Sequence, residues 1–357
     1  MKLAVFSDVH GHNYKEFDEK SYLTGSTRLD NIVRTLEFIR DDCVRRGIKK
    51  VLFGGDMLHI RGKVDTIVFN AIYDMIKTFY ANGIEIIGIA GNHDQKDNSD
   101  VPEHSLHAFN DLEGVTIYKD LGTHMIWGQD EENVPVFCVP YSKNAQRIKD
   151  WIASIDADKI GRNAICLFHL GISGAFVGNG SYPMADAFLP EDLRPDIFKY
   201  VVGGHFHRKQ KIGGYDNFMY TGAPIQHSFG DEGEEKGYLI LDTSKRLDIS
   251  FVPIPNPQFF TMTAYDVANE DMQTIAEEGH YVRLTIKEGE LQAALSYLPP
   301  NLKYKTVLEK EYKEETRVDV KVGMTEEQVV TKYAEQFNPE ALQVGLDILE
   351  RVKGNAK

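Results

Sequence analysis

Aspartate, asparagine and histidine recur in this chain just past short apolar runs, and those residue types together suit divalent cations. Asp8 and His10 follow Leu3-Ala-Val-Phe-Ser and, two residues apart, point to one side of extended backbone. Asp56 follows Val51-Leu-Phe-Gly-Gly, where the glycines permit a sharp turn, and His59 comes three residues later. Two carboxylate oxygens allow Asp56 to bridge two ions. Asn92, His93 and Asp94 follow Ile87-Gly-Ile-Ala-Gly. There an amide carbonyl can ligate, an imidazole can carry a proton, and the next carboxylate can orient that imidazole. His169 ends Ile165-Cys-Leu-Phe-His, and His205 and His207 follow Val201-Val-Gly-Gly and share a face.

Taken singly, each pattern is ordinary. Asp-x-His is a common surface turn, and a lone histidine at a strand end is often a core residue. The five in one order, D-x-H, G-D-x-x-H, G-N-H-D, H and G-H-x-H, are far from ordinary. The set offers oxygen and nitrogen donors without thiolate, which disfavours a structural zinc site. Two cations about 3.5–4 Å apart would lower the pKa of a shared water and clamp both oxygens of an in-line displacement at phosphorus. No phosphate-cradling P-loop motif accompanies them.

Such residues must be delivered to one rim, and the pattern supplies the means. Leu3–Phe6, Val51–Phe53 and Ile84–Ile89 read as strands, with helices over Arg28–Arg46 and Thr66–Tyr80 between them. This β-α-β-α-β order implies a sheet with helical crossovers, whose ligand-binding rim is the carboxyl end of the strands. Shorter strands follow at Val136–Val139, Ala164–Phe168, Tyr200–Val202, Met219–Thr221, Tyr238–Leu241 and Ile249–Val252. The fold class expected is α/β, a two-sheet sandwich over residues 1–253. Three prolines in Pro253–Pro257 mark a linker. Residues 258–322 read as a small α+β domain, with helices Asp271–Glu278 and Gly289–Leu298 and strand Tyr281–Ile286. Residues 325–357 form a helical segment, with a capping box at Thr325-Glu-Glu-Gln328 and Pro339 at a helix start.

Composition bounds the rest. The chain has 357 residues, 42% hydrophobic and 26% charged, which excludes wholesale disorder and a fibre. Its net charge of −14 argues against a basic nucleic-acid coat. Cys43, Cys138 and Cys166 sit apart among apolar residues and read as reduced, buried thiols of a reducing compartment. No run approaches the roughly 18 apolar residues of a membrane span, so no membrane partner is expected. The first apolar run is too short for a signal peptide. The expected location is cytoplasmic, in a bacterium or in the host of a phage.

The five motifs in this order resemble those of the calcineurin-like metallophosphoesterase superfamily. Gly55-Asp56-Met-Leu-His59, Gly91-Asn-His-Asp94 and the block Tyr200–Asp242 are most similar to the SbcD-type nucleases, small subunits of SbcC–SbcD complexes, which phages carry in short form. The resemblance implies an αββα sandwich with a capping domain and a Mn-dependent DNA exonuclease, expected also to be an endonuclease, of recombination and repair. By motif, Asp8, His10, Asp56 and His207 would hold one ion, and Asp56, Asn92, His169 and His205 the other. Manganese is the expected metal, with magnesium, iron and zinc as alternatives. His93 would be the catalytic histidine with Asp94 orienting it, and His59 and Arg61 would meet substrate. The partners implied are DNA, an SbcC-like coiled-coil ATPase docked on the helical tail, and a second copy in a homodimer. Leu342, Gly345, Leu346, Leu349 and Val352 form the tail's apolar stripe, which otherwise packs on its own domain. In Thr66–Tyr80, Val68, Ile72, Met75, Ile76 and Phe79 face a dimer partner, the chain's own sheet, or both. Two other functions stay open on residues alone: a small-molecule or cyclic-nucleotide phosphodiesterase, and a weakly active scaffold for a DNA-processing ATPase.

Overall fold

The computed structural model describes residues 1–128, 133–177, 187–309, 318 and 324–354. Two compact units divide the chain, Met1–Leu308 and Glu309–Lys357. In order, the first contains β1 (Lys2–Phe6), α1 (Thr27–Arg46), β2 (Lys50–Phe53), α2 (Thr66–Ala81), β3 (Glu85–Ile89), β4 (Val115–Tyr118), β5 (Gly122–Ile126) and β6 (Val134–Val139). It continues through α3 (Ala145–Ala153), β7 (Ile165–His169), β8 (Tyr200–Gly204), β9 (Gln210–Lys211), β10 (Phe218–Tyr220), β11 (Gly237–Asp242) and β12 (Ile249–Pro253). It closes with β13 (Phe259–Met262), α4 (Ala264–Asn269), α5 (Met272–Glu277), β14 (Tyr281–Ile286), α6 (Leu291–Leu295) and β15 (Lys303–Leu308).

The strands form two six-stranded sheets, ordered β12-β11-β1-β2-β3-β4 and β5-β6-β7-β8-β10-β9. β1, β2, β3 and β4 run parallel, as do β6, β7, β8 and β10, so their carboxyl ends gather at one rim. Central strands of such sheets are buried on both faces and read as continuous apolar runs. β1 follows that rule: Leu3 and Val5 meet Val136, Leu167 and Val202 between the sheets, while Ala4 and Phe6 face the layer of α1 and α2. On the far side α3 places Ile148 and Ile152 against Phe137, Cys166 and Phe168. The result is the expected α/β architecture, an αββα sandwich. The three cysteines are free and buried.

α1 starts where Ser26 accepts from the Leu29 amide and stops at Gly47, whose φ of 67° is strained for a residue with a Cβ. In α2 Asp65 caps the N-terminus, and Val68, Ile72, Met75, Ile76 and Phe79 all lie in the core. That stripe is therefore packed against the chain's own sheet. α3 and α4 have no counterpart among the helices expected from sequence, and the helix expected at Gly289–Leu298 is reduced to a 3-10 turn and five α-helical residues.

Beyond Pro253 the chain stays attached. Ile254 is buried, and Asn256 accepts from Thr35 Oγ1 at 3.0 Å and donates to the Pro224 carbonyl at 3.2 Å. β13, β14 and β15 form a third, all-parallel sheet covered by α4, α5 and α6. Arg28 of α1 joins this sheet to the sandwich. Its guanidinium lies about 5 Å from the rings of Tyr14, Phe259 and Tyr281 and donates to the carbonyls of Glu16 and His227.

The second unit contains α7 (Glu326–Phe337), a 3-10 turn (Pro339–Ala341) and α8 (Leu342–Gly354). Thr325 and Gln328 form the expected capping box. Gly345 approaches Val330, so the α8 stripe packs on α7, and Val344 and Ile348 are exposed. Most of residues 310–322 of the expected α+β domain and the Val352 side chain lie outside the described residues.

Candidate metal centre

Every parallel strand that carries a motif ends at the same rim. Asp8 and His10 leave β1, Asp56 leaves β2, Asn92 and His93 leave β3, His169 ends β7, and His205 and His207 leave β8. Close approach of the turns requires glycine. A Cβ on Gly91 would lie 2.2 Å from Asp56 Oδ1, and one on Gly55 2.5 Å from His169 Nδ1. Asp8, His10, Asp56 and His205 adopt φ values of 55°, 46°, 60° and 112°. Left-handed backbone at non-glycine residues is strained and collects at functional sites. Only Phe17 and Arg194 share it among the described residues.

The side chains converge in two groups. In one, His10 Nε2 lies 3.0 Å from His207 Nε2 and 4.0 Å from Asp8 Oδ1. In the other, Asn92 Oδ1 lies 3.0 Å from His169 Nε2 and 2.9 Å from His205 Nδ1. Between them is Asp56 Oδ2, 3.6 Å from His10 Nε2 and 3.3 Å from His169 Nε2. Oδ1 of the same carboxylate is occupied by the His93 amide at 2.8 Å. Asp8, His10 and His207, and separately Asp8, Asp56 and His169, each present atoms mutually close enough to share an ion.

This donor set fits divalent cations. Facing Nε2 atoms at 3.0 Å, without a cation, need a shared proton. The His169 ring is similarly arranged: Nδ1 donates to the Gly54 carbonyl at 2.7 Å, and Nε2 points at two oxygen acceptors. Burial pulls His10 well below the usual imidazole range and His205 down to about 3, which keeps both neutral and able to ligate. Burial would also lower His169, but the Asp56 and Asp8 carboxylates outweigh it and push it up to about 9. Burial would raise Asp56, yet His169, His10 and His93 hold it far below the usual carboxylate range. His10, His59 and His93 form a third group with mutually close atoms.

His93 stands edge-on to His10 at 4.7 Å and stacks on His59 at 5.3 Å. Its Nδ1 donates to the His59 carbonyl at 2.6 Å. That carbonyl, and not Asp94, orients the ring. Asp94 faces the backbone instead, accepting from the amides of Asp56, Leu58 and Gly91 at 2.8, 3.1 and 3.0 Å. Burial, with Asp56 nearby, pushes its carboxyl up to about 7. His59 Nδ1 lies 3.2 Å from His10 Nδ1, so His59 stands beside the centre. Arg61 directs its guanidinium to the Gln95 and Asp97 carbonyls and Asn98 Oδ1, holding the loop after Asp94 at the edge of the site.

Sequence reasoning missed several neighbours. Tyr141, just past β6, stacks on His205 at 5.8 Å. Its position one residue beyond Pro140 at a strand end was the available signal. His227 donates from Nε2 to the Asp8 carbonyl at 3.1 Å, and Asp231 and Lys236 pack behind His207. These three belong to a loop without strand-end grammar.

The fold and this rim define a metallophosphoesterase sandwich. The chain belongs to the calcineurin-like phosphoesterase family, whose profile matches residues 1–209. Among curated relatives it is similar to the DNA double-strand break repair protein Mre11 of Nanoarchaeum equitans, 25% identical over 75% of this chain and 72% of that one. It is also similar to the SbcD component of the SbcCD nuclease of Rhodobacter capsulatus, at 23% identity over 59% of this chain and 60% of that protein. Exonuclease subunit 1 of Enterobacteria phage T4 matches at 24% over 68% of this chain and 65% of the phage protein. Two of these three matches thus span less than two thirds of the relative's own length.

Proposed function

We propose that this phosphoesterase is a metal-dependent DNA nuclease, exonucleolytic and also endonucleolytic, acting in recombination or repair beside a coiled-coil ATPase. The observation that carries the metal reading is Asp56 Oδ2 between His10 Nε2 and His169 Nε2, with Asp8 and His207 gathered at the first and Asn92 and His205 at the second. Support for DNA as substrate comes from relatives named as a break-repair protein, a nuclease component and an exonuclease subunit.

Asp8, His10 and His207 would hold one ion, Asn92, His169 and His205 the other, and Asp56 both, manganese being the expected metal. Bound there, the ions supply an activated water and charge stabilisation at phosphorus. The remaining work falls to this chain's residues. A carbonyl only accepts, so the His59 carbonyl holds one proton on His93 Nδ1 and leaves Nε2 to carry the proton that is transferred. Nε2 is then free to give a proton to the departing oxygen. His59, stacked on that ring, forms one wall of the substrate site, and Arg61 stiffens the loop beside it.

The ATPase is assigned to residues 325–357, where Val344 and Ile348 on α8 and Tyr333 and Phe337 on α7 offer exposed apolar contacts. Residues 258–322 are assigned the role of a capping domain to the nuclease domain of 1–253. A homodimer completes the reading, through a surface other than the buried stripe of α2.

Purified chain on linear duplex and single-stranded DNA, with manganese or with EDTA, tests the proposal. Cutting only with metal, abolished in His93→Ala, is expected. Metal-independent cutting, or an unchanged rate in His93→Ala, overturns it.

A further inference from the structure

The segment between β10 and β11 carries no metal-ligand motif, yet it closes one half of the centre from behind. His207 turns Nε2 toward His10, which leaves its Nδ1 pointing away from the ions. Asp231 Oδ1 lies 3.6 Å from that Nδ1. The carboxylate is fixed from both sides. Oδ2 accepts from the amides of His227 and Ser228 at 3.0 and 3.3 Å, and Oδ1 accepts from Lys236 Nζ at 3.0 Å. The same Nζ donates to the His207 carbonyl at 2.8 Å and to Glu234 at 2.6 Å. Asp231 and Lys236 are both buried.

A neutral imidazole ligates through one nitrogen only while the proton sits on the other. A carboxylate facing Nδ1 favours that tautomer, fixes the ring and strengthens Nε2 as a donor. An uncompensated buried carboxylate would be costly, and Lys236 neutralises it. Lys236 also grips the backbone of the residue whose ring Asp231 faces, so the pair holds His207 at both ends. The opposite half of the centre is built differently, because there the Gly54 carbonyl holds His169 Nδ1.

We infer that Asp231 and Lys236 are positioning residues for the ion held by Asp8, His10 and His207. The inference rests on the two-ion reading above. Its rival is local: Asp231 also closes a capping box with Ser228 in the turn Phe229–Asp231, a role with no bearing on metal.

Titration of the full chain with manganese, followed by electron paramagnetic resonance without DNA, separates the two. Wild-type protein is expected to take up two ions. Asp231→Asn is expected to weaken one ion by about 10–100-fold and leave the other within about twofold. Lys236→Gln should weaken the same ion, and it carries the test if Asp231→Asn fails to give a cooperative melt in EDTA. Ser228→Ala removes the turn's cap without touching His207 and should leave both ions unchanged. Unaltered binding in Asp231→Asn, equal weakening of both ions, or an equal loss in Ser228→Ala overturns the clamp. A wild-type chain that binds no manganese overturns the two-ion reading and the clamp with it. Two wild-type ions with Asp231→Asn unaffected overturn the clamp alone.

Discussion

Asp56 carries more of the centre than any other side chain, because its two oxygens do separate work. Oδ1 holds the His93 amide and Oδ2 faces both donor groups. Asp56→Ala is therefore expected to lose both ions, and His207→Ala one, as metal content after gel filtration would show. His93→Ala should lower kcat by about 10²–10⁴-fold while retaining metal, as expected for loss of a proton donor. His169 sets a pH dependence. In the metal-free chain its pKa is about 9, raised above the ordinary 6.5, so its pairing with Asp56 stabilises the fold fully below about 6.5 and fades as pH rises through 9. An ion must displace that proton, so manganese affinity should climb from pH 7 to 9 with proton release. Calorimetry in buffers of different ionisation enthalpy measures it. The seven residues that converge at the rim are legible in the sequence because each follows an apolar strand, and the sheet brings strand ends together. The role expected of Asp94 fails because adjacency in sequence does not give direction: its backbone turn aims the carboxylate at three amides. Asp231 and Lys236 are illegible since their partner, His207, lies more than twenty residues away in sequence.

At the scale of elements, the period of α1 and α2 is plain, but a stripe does not name what covers it. In α2 the sheet does, and Ile72 also touches the backbone side of the metal loop, with its Cγ1 3.0 Å from where a Gly11 Cβ would stand. Ile72→Ala should cost about 2–5 kcal/mol in urea denaturation and loosen the Asp8–His12 loop with it. α3 escapes sequence reading because Ile148 and Ile152 are its only two buried residues, too few to set a period, and its start depends on the Asn144 side chain accepting from the Arg147 amide. Pro253–Pro257 reads as a linker from composition. The hydrogen bonds of Asn256 and the buried Ile254 are long-range contacts that composition does not carry.

For the whole molecule, the acidic charge is partly absorbed in local pairs. Arg147, Lys209 and Lys211, which flank the rim in sequence, are matched by Asp120, Glu235 and Asp216. The lone chain should accordingly bind duplex DNA weakly, with a shallow salt slope, and steeply only with the proposed ATPase. Fluorescence anisotropy across a salt series measures both. Truncation after Leu308 removes the second compact unit alone and should spare hydrolysis of an aryl phosphodiester while abolishing capture of the proposed ATPase. The left-handed residues at the rim have a consequence for the chain before it meets metal. Asp8, His10, Asp56 and His205 hold conformations that cost about 1–3 kcal/mol each, and they cluster where the backbone must stay in register for ligation. Chelation should release that tension locally. Amide exchange would then quicken at the loops after β1, β2 and β8 while the strands themselves stay protected, so that metal uptake is the last act of folding at this rim.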